Sequence, residues 1–177
     1  MENLAALGRF VVSFSQLEEA MRMGVVSVAG IGRGTDVVTA LQITLAGSTA
    51  DQTRAVFFAT CSALFDLTPD EEAIRNKLQA EVRELIERRN EILHGAWILD
   101  DSPDGSGFHT KVAPREPSGV AYRSLDPADL PGLAEQADRL RHLVWAFASG
   151  CKPGLPTDWP RVAERLALRD GVVERRF

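Results

Sequence analysis

Thr68-Pro69-Asp70-Glu71 opens, and Glu87-Arg88-Arg89-Asn90-Glu91-Ile92-Leu93-His94-Gly95 closes, the stretch on which the reading of this chain turns. Thr68 is a side-chain cap, Pro69 suits the first helical position, and acids favour the positive end of a helix dipole. Gly95 is a stop signal. The span between them is predicted to be one long amphipathic helix. Leu78, Val82 and Leu85 set an apolar stripe that steps by four and three, and the next steps are Arg89 and Ile92. A second stripe from Ile86 to Leu93 passes through Asn90. Two polar side chains thus stand where a packing helix places apolar ones. Burying them without partners is costly, which marks them as kept for a purpose other than packing.

Working outward, the flanking segments are also helical. Residues 3–29 repeat Leu7, Phe10, Val11, Phe14, Leu17, Met21 and Val25 at helical steps, with Asn3 as cap and Gly30-Ile31-Gly32 as terminator. Residues 35–45 form a second helix. Residues 49–65 form a third, with Val56, Phe57, Cys61, Leu64 and Phe65 facing inward. The second and third read equally as one kinked element. After Gly95 the pattern changes to short strand-like runs at 96–99, 109–112 and 120–123, separated by turns such as Asp104-Gly105. These predict a small antiparallel hairpin or meander. Asp126-Pro127-Ala128-Asp129 starts another helix, which runs to about residue 148 through Leu133, Ala137, Leu140, Val144 and Phe147. A Pro- and Gly-rich loop and a short tail helix over 158–169 follow. The expected fold is mainly α: a helical bundle over 1–150 with a β insertion at about 96–125. Residues 151–177 are a loop and tail helix packed on it or extending from it.

Composition narrows the function classes. The chain has 177 residues, 45% apolar and 25% charged, as expected of one soluble globular domain. Its net charge of -5 argues against a role that coats nucleic acid, which needs an excess of Lys and Arg. Cys61 and Cys151 fit neither a metal spacing nor a disulfide framework, and a cytoplasmic location is expected. Met1-Glu2-Asn3-Leu4 does not resemble a signal peptide, and no stretch approaches the roughly 20 apolar residues that span a bilayer. No membrane partner, metal or cofactor is expected. His109 and His142 are isolated, and Asp100-Asp101 with Asp104 read as a solvated turn. Gly30-Ile31-Gly32-Arg33-Gly34 follows a helix and reads as a connector. Arg161, Arg165 and Arg169 read as a solvated basic face of the tail helix. Trp97, Trp145 and Trp159 read as packing anchors.

Arg89, Asn90 and His94 make a chemically coherent trio. Asn90 and His94 are four apart and share a helix face. Arg89 lies roughly 140° around from His94, within reach of a long guanidinium. Histidine exchanges protons near neutral pH, arginine holds phosphate oxygens and developing negative charge, and asparagine orients the phosphate or the imidazole. These groups suit metal-free phosphodiester cleavage with the ribose 2′-hydroxyl as nucleophile, which restricts the substrate to RNA. The reaction needs a base and an acid, and two trios across a two-fold axis supply both.

Arg-Asn-x-x-x-His closing a long helix, then Gly and an aromatic, resembles the HEPN superfamily, and Phe14-Ser15-Gln16-Leu17-Glu18 is similar to the first helix of many HEPN-like bacterial proteins. The resemblance covers the helical segments, roughly 2–97 and 126–148. It implies a helical bundle, a homodimer with both motifs lining one cleft, and metal-independent RNase activity in toxin–antitoxin, phage-defence or RNA-processing systems. It implies single-stranded RNA or a tRNA-like loop as substrate and an antitoxin or other protein as companion. By that likeness Arg89 and His94 are catalytic and Asn90 supports them, with Arg88 as the alternative arginine. Ser15 and Glu18 are supporting candidates, Glu18 being expected to pair with Arg88 or Arg89. The competing expectation is a non-catalytic dimeric module of the same fold, acting as antitoxin, regulator or scaffold.

Overall fold

A computed structural model describes residues 2–94, 96–99, 107–110, 128–151 and 160–176. Helix α1 covers Glu2–Ala29, α2 Thr35–Ala46, α3 Ala50–Leu64 and α4 Pro69–His94. Strands β1 (Ala96–Leu99) and β2 (Gly107–Thr110) follow, then α5 (Asp129–Gly150), α6 (Val162–Arg165), β3 (Leu166–Arg169) and β4 (Val172–Arg175). The chain is mainly helical and carries two small antiparallel hairpins.

Local chemistry explains the helix ends. Thr49 accepts from the Gln52 backbone N–H while the Gln52 side chain accepts from the Thr49 N–H, a reciprocal cap that separates α3 from α2. Thr68 and Glu71 form the same device at the start of α4: Thr68 N donates to Glu71 Oε2 at 2.9 Å, and Glu71 N donates to Thr68 Oγ1 at 3.4 Å. Gly32 at φ 69° turns the connector between α1 and α2.

Three helices frame the site. Gly24 of α1 meets Ala148 of α5 near the C-terminal ends of both, so α1 and α5 lie side by side and run the same way. Helix α4 runs against α5: Glu81 pairs with Arg139 and, further along, Arg88 with Asp129. Between them lie Phe10, Phe14, Leu17 and Met21 of α1, Leu78, Val82 and Leu85 of α4, and Leu140, Val144 and Phe147 of α5, all buried. Helix α3 closes one side, its Phe57 ring 4.9 Å from Phe58 and 6.3 Å from Phe147. Its inward stripe is Thr53, Phe57, Phe58 and Cys61; of the residues expected inside, Val56 is exposed off that stripe and Leu64 is exposed as the last residue of the helix.

Gly24 shows how tight this packing is. A Cβ there stands 2.5 Å from the Phe57 ring, which the neighbouring rings hold in place. Gly→Ala in a helix ordinarily stabilises by about 1 kcal/mol. Here Gly24→Ala is expected to destabilise by about 1–3 kcal/mol through overpacking, and the sign is read from urea unfolding midpoints.

The β insertion pairs Ala96 with Thr110 and Leu99 with Gly107. The described second strand, Gly107–Thr110, shares 109–110 with the expected run at 109–112, whose last two residues lie outside the described ones. The third run (120–123), the Asp104-Gly105 turn, the Asp100-Asp101 turn, the helix start at Asp126-Pro127, Gly95 and Trp159 lie outside the described residues.

The tail corrects the sequence reading. Of the helix expected over 158–169, the described residues keep four, Val162–Arg165, and a hairpin follows from Leu166. Asp170 (φ 50°) and Gly171 (φ 76°) both take the left-handed conformation of a two-residue hairpin turn. Leu166 then pairs with Arg175 and Arg169 with Val172. Arg161, Arg165 and Arg169 therefore share no helix face. Arg161 instead reaches Glu71, Nη2 to Oε2 at 2.9 Å and Nε to Oε1 at 3.3 Å, while Ala163 N donates to Oε1 at 3.3 Å. On α5, Arg139 donates to the Val173 carbonyl at 3.0 Å and pairs with Glu81, fixing the hairpin against α4 and α5.

Candidate active site

Helix α4 keeps its apolar stripe inward until the last two turns. Ile92 is buried, and Arg89 takes the stripe position between Leu85 and Ile92 in a half-buried state. Its guanidinium carbon lies 5.5 Å from the centroid of the buried Phe14 ring on α1. That face-on contact with an aromatic ring offsets part of the cost of desolvating the cation. Arg89 Nη1 donates to Asn90 Oδ1 at 3.0 Å. Arg89 Nε is buried and has no hydrogen-bond partner among the described residues. His94, one turn beyond Asn90, is the last residue of α4 and is exposed. Among the described residues no hydrogen bond joins His94 to the other two.

Arg88 points elsewhere. It pairs with Glu91 at 3.2 Å and with Asp129 of α5 at 3.7 Å. It borders a cleft of about 300 Å³ whose other charged lining is Glu84, Glu87 and Glu91. Three carboxylates around one guanidinium leave that side of α4 with a negative field that repels anions.

Glu18 pairs with Arg22 on its own helix at 2.5 Å, one turn away, rather than with Arg88 or Arg89 as expected. Arg22 also contacts the Ser48 carbonyl at 3.5 Å, so this pair braces α1 against the start of α3. Ser15 is exposed and donates to the Val11 carbonyl at 2.8 Å. No described contact joins Ser15 or Glu18 to Arg89, Asn90 or His94.

Other titratable groups sort cleanly. Cys61 of α3 and Cys151 at the end of α5 are free and buried, and the fold brings them together. The hydrogen bond with Cys61, then burial, push the Cys151 thiol far above its ordinary value. A thiol so placed is inert as a nucleophile. His142 is exposed, and its Nδ1 lies 2.8 Å from the Asp138 carbonyl, which only accepts, so Nδ1 carries the proton. His109 falls in β2, its side chain outside the description. Among the described residues no group of three or more His, Cys, Asp or Glu is placed to hold a metal ion. No described helix is long and apolar enough to cross a membrane.

One surface escaped the sequence reading. Trp145, expected as a packing anchor, is 48% exposed. It follows Val144 by one residue and so leaves the α5 stripe formed by Leu140, Val144 and Phe147. Beside it α6 and the C-terminal hairpin place Arg165, Arg175 and Arg176 around a cleft of about 380 Å³. The Asp170-Gly171 dipeptide was the available signal for that hairpin.

Compared with protein-family models, curated proteins and solved structures, the chain has no match.

Proposed function

We propose that this chain is a HEPN-like endoribonuclease that acts as a cytoplasmic homodimer and cleaves RNA through the ribose 2′-hydroxyl without a metal ion. One observation carries the reading: an exposed His94 ends α4 one turn after Asn90, and Asn90 accepts a hydrogen bond from Arg89. In the reaction, one His94 removes the 2′-hydroxyl proton as the oxygen attacks phosphorus. The partner's His94 protonates the departing 5′-oxygen. Arg89 stabilises the charge that gathers on the phosphorane oxygens, and Asn90 orients Arg89. The products are a 2′,3′-cyclic phosphate and a 5′-hydroxyl. The resemblance to HEPN proteins adds an expected toxin–antitoxin or phage-defence setting with an antitoxin or other companion protein.

The test is cleavage of single-stranded RNA in EDTA. Unmodified RNA is expected to be cut to cyclic-phosphate ends, and a strand with 2′-deoxy sugars to stay intact. Cleavage that stops in EDTA, or that proceeds on the deoxy strand, rejects the mechanism.

A second reading is favoured by Arg89 itself. A guanidinium laid on the buried Phe14 ring, with Nε sealed from solvent, behaves as a packing group. In that reading the trio rigidifies a non-catalytic dimeric module that serves as antitoxin, regulator or scaffold.

A further inference from the structure

The cleft between α5 and the C-terminal hairpin combines two features that suit a ligand. The first is the exposed indole of Trp145. A large aromatic ring left half in water is an unfilled stacking surface. The second is charge. Among the described residues, Arg165, Arg175 and Arg176 line the cleft with Glu164 as the carboxylate, in a chain whose net charge is -5. Arg175 and Arg176 are exposed and form no ion pair among the described residues. Arg165 is steered by its Nε, which donates to the Pro160 carbonyl at 3.0 Å. The scaffold is firm: Arg176 N donates to the Arg165 carbonyl at 2.7 Å, and Arg139 holds the Val173 carbonyl.

We propose that Trp145, Arg165, Arg175 and Arg176 form a binding cleft for single-stranded RNA, with the indole stacked on one base and the guanidiniums on flanking phosphates. Aromatic stacking beside a basic groove is the general chemistry of single-strand recognition. A paired base keeps its faces within the duplex, out of reach of this indole. A membrane surface fits worse, because the apolar group here lines a concavity. The inference extends the RNA reading to a second place. Asp129 marks the α5 end beside Arg88, and Trp145 is sixteen residues further on, about 24 Å along the helix. A grip at that distance would hold one end of a strand whose other end lies at His94.

Binding of a labelled 12-nucleotide oligouridylate is measured by fluorescence anisotropy in EDTA. The full chain carries His94→Ala so that no cleavage intrudes, which keeps this test independent of the catalytic reading. Trp145→Ala is expected to weaken binding by about fivefold to a hundredfold, and Trp145→Phe to retain most of it. Arg175→Ala with Arg176→Ala is expected to lower the slope of log affinity against log salt by about 1.4, two phosphates at about 0.7 each. All these side chains are exposed, and circular dichroism verifies that the variants stay folded. Unchanged affinity in Trp145→Ala, equal affinity for a duplex, equal binding to anionic vesicles, or a change in oligomeric state in place of RNA affinity overturns the proposal. Oligouridylate bound through Trp145 by a protein that cleaves nothing supports the cleft and rejects only the nuclease reading.

Discussion

Replacing His94 with alanine is expected to slow RNA cleavage by about 10²- to 10⁴-fold and to leave the unfolding midpoint unchanged. The two halves of that expectation have separate causes. His94 is exposed and makes no hydrogen bond among the described residues, so the folded state loses little with the imidazole. In the proposed mechanism one copy of this ring takes the 2′-hydroxyl proton and the partner's copy protonates the 5′-oxygen, and the substitution removes both. Arg89→Ala differs. It is expected to cost about 10²- to 10³-fold in rate and also some stability, since it removes the contact with Phe14, worth about 0.5–2 kcal/mol. Arg89→Lys restores the charge but not the planar surface over the ring, so it rescues little of either. Initial rates on a defined single-stranded substrate, read with thermal unfolding of each variant, separate the two proposals for this site. Full activity in His94→Ala would falsify the catalytic assignment, and loss of stability alone in Arg89→Ala would favour the non-catalytic module.

A second large effect on stability belongs to Arg161→Ala, about 1–3 kcal/mol, below the cost of breaking a fully buried pair because the guanidinium is half exposed. Glu71 is 1% exposed and Arg161 about half exposed, so the two partners are not equivalent. Removing the glutamate leaves a guanidinium that water can solvate. Removing the arginine leaves a buried carboxylate held, among the described residues, by Thr68 and the Ala163 N–H. Burial pushes the Glu71 carboxyl up, but the bonds from Arg161, Thr68 and Ala163 together hold it below its ordinary value of 4.5. A folded-state value below the unfolded one means that Glu71 adds stability above about pH 4.5. The contribution fades as pH falls through the folded value. The Arg161→Ala deficit is accordingly expected to be full at neutral pH and to shrink in acid, where the stranded carboxyl takes up a proton. Urea unfolding from pH 3 to 8 gives the profile. A deficit independent of pH would show that Arg161 acts by packing alone.

What the sequence disclosed follows the range of the interactions. Helix α4 was legible at its start because Thr68 and Pro69 act within one turn of themselves, and it ends at His94, the residue before the expected stop. The interruption of its stripe at Arg89 and Asn90 follows from helix geometry, and the half-burial of Arg89 agrees with it. The hydrogen bond between Arg89 and Asn90 is local too. The partner ring, Phe14, was not legible, because which helix covers the end of α4 depends on how the bundle assembles. Glu18 shows the opposite error: a distant arginine was preferred to Arg22, one turn away, although four-residue pairs on a helix form readily. In the tail, arginines spaced by four imitated a helix face, and the short run before Asp170-Gly171 carries no regular alternation to contradict it. Glu71 with Arg161, and Cys61 with Cys151, join positions 90 residues apart, and no pattern in one chain announces such pairs.

The parallel pairing of α1 with α5 also sets an order of events during synthesis. The stripe of Phe10, Phe14, Leu17 and Met21 has its principal cover in a helix that begins at Asp129, about 100 residues after α1 ends. At roughly 5–20 residues per second, α1 waits about 5–20 s with its apolar face uncovered. Helix α3 shields part of it sooner, through Phe57 at Gly24. The nascent chain therefore passes through a sticky stage before α5 emerges, and chaperone binding during translation is expected to concentrate on α1.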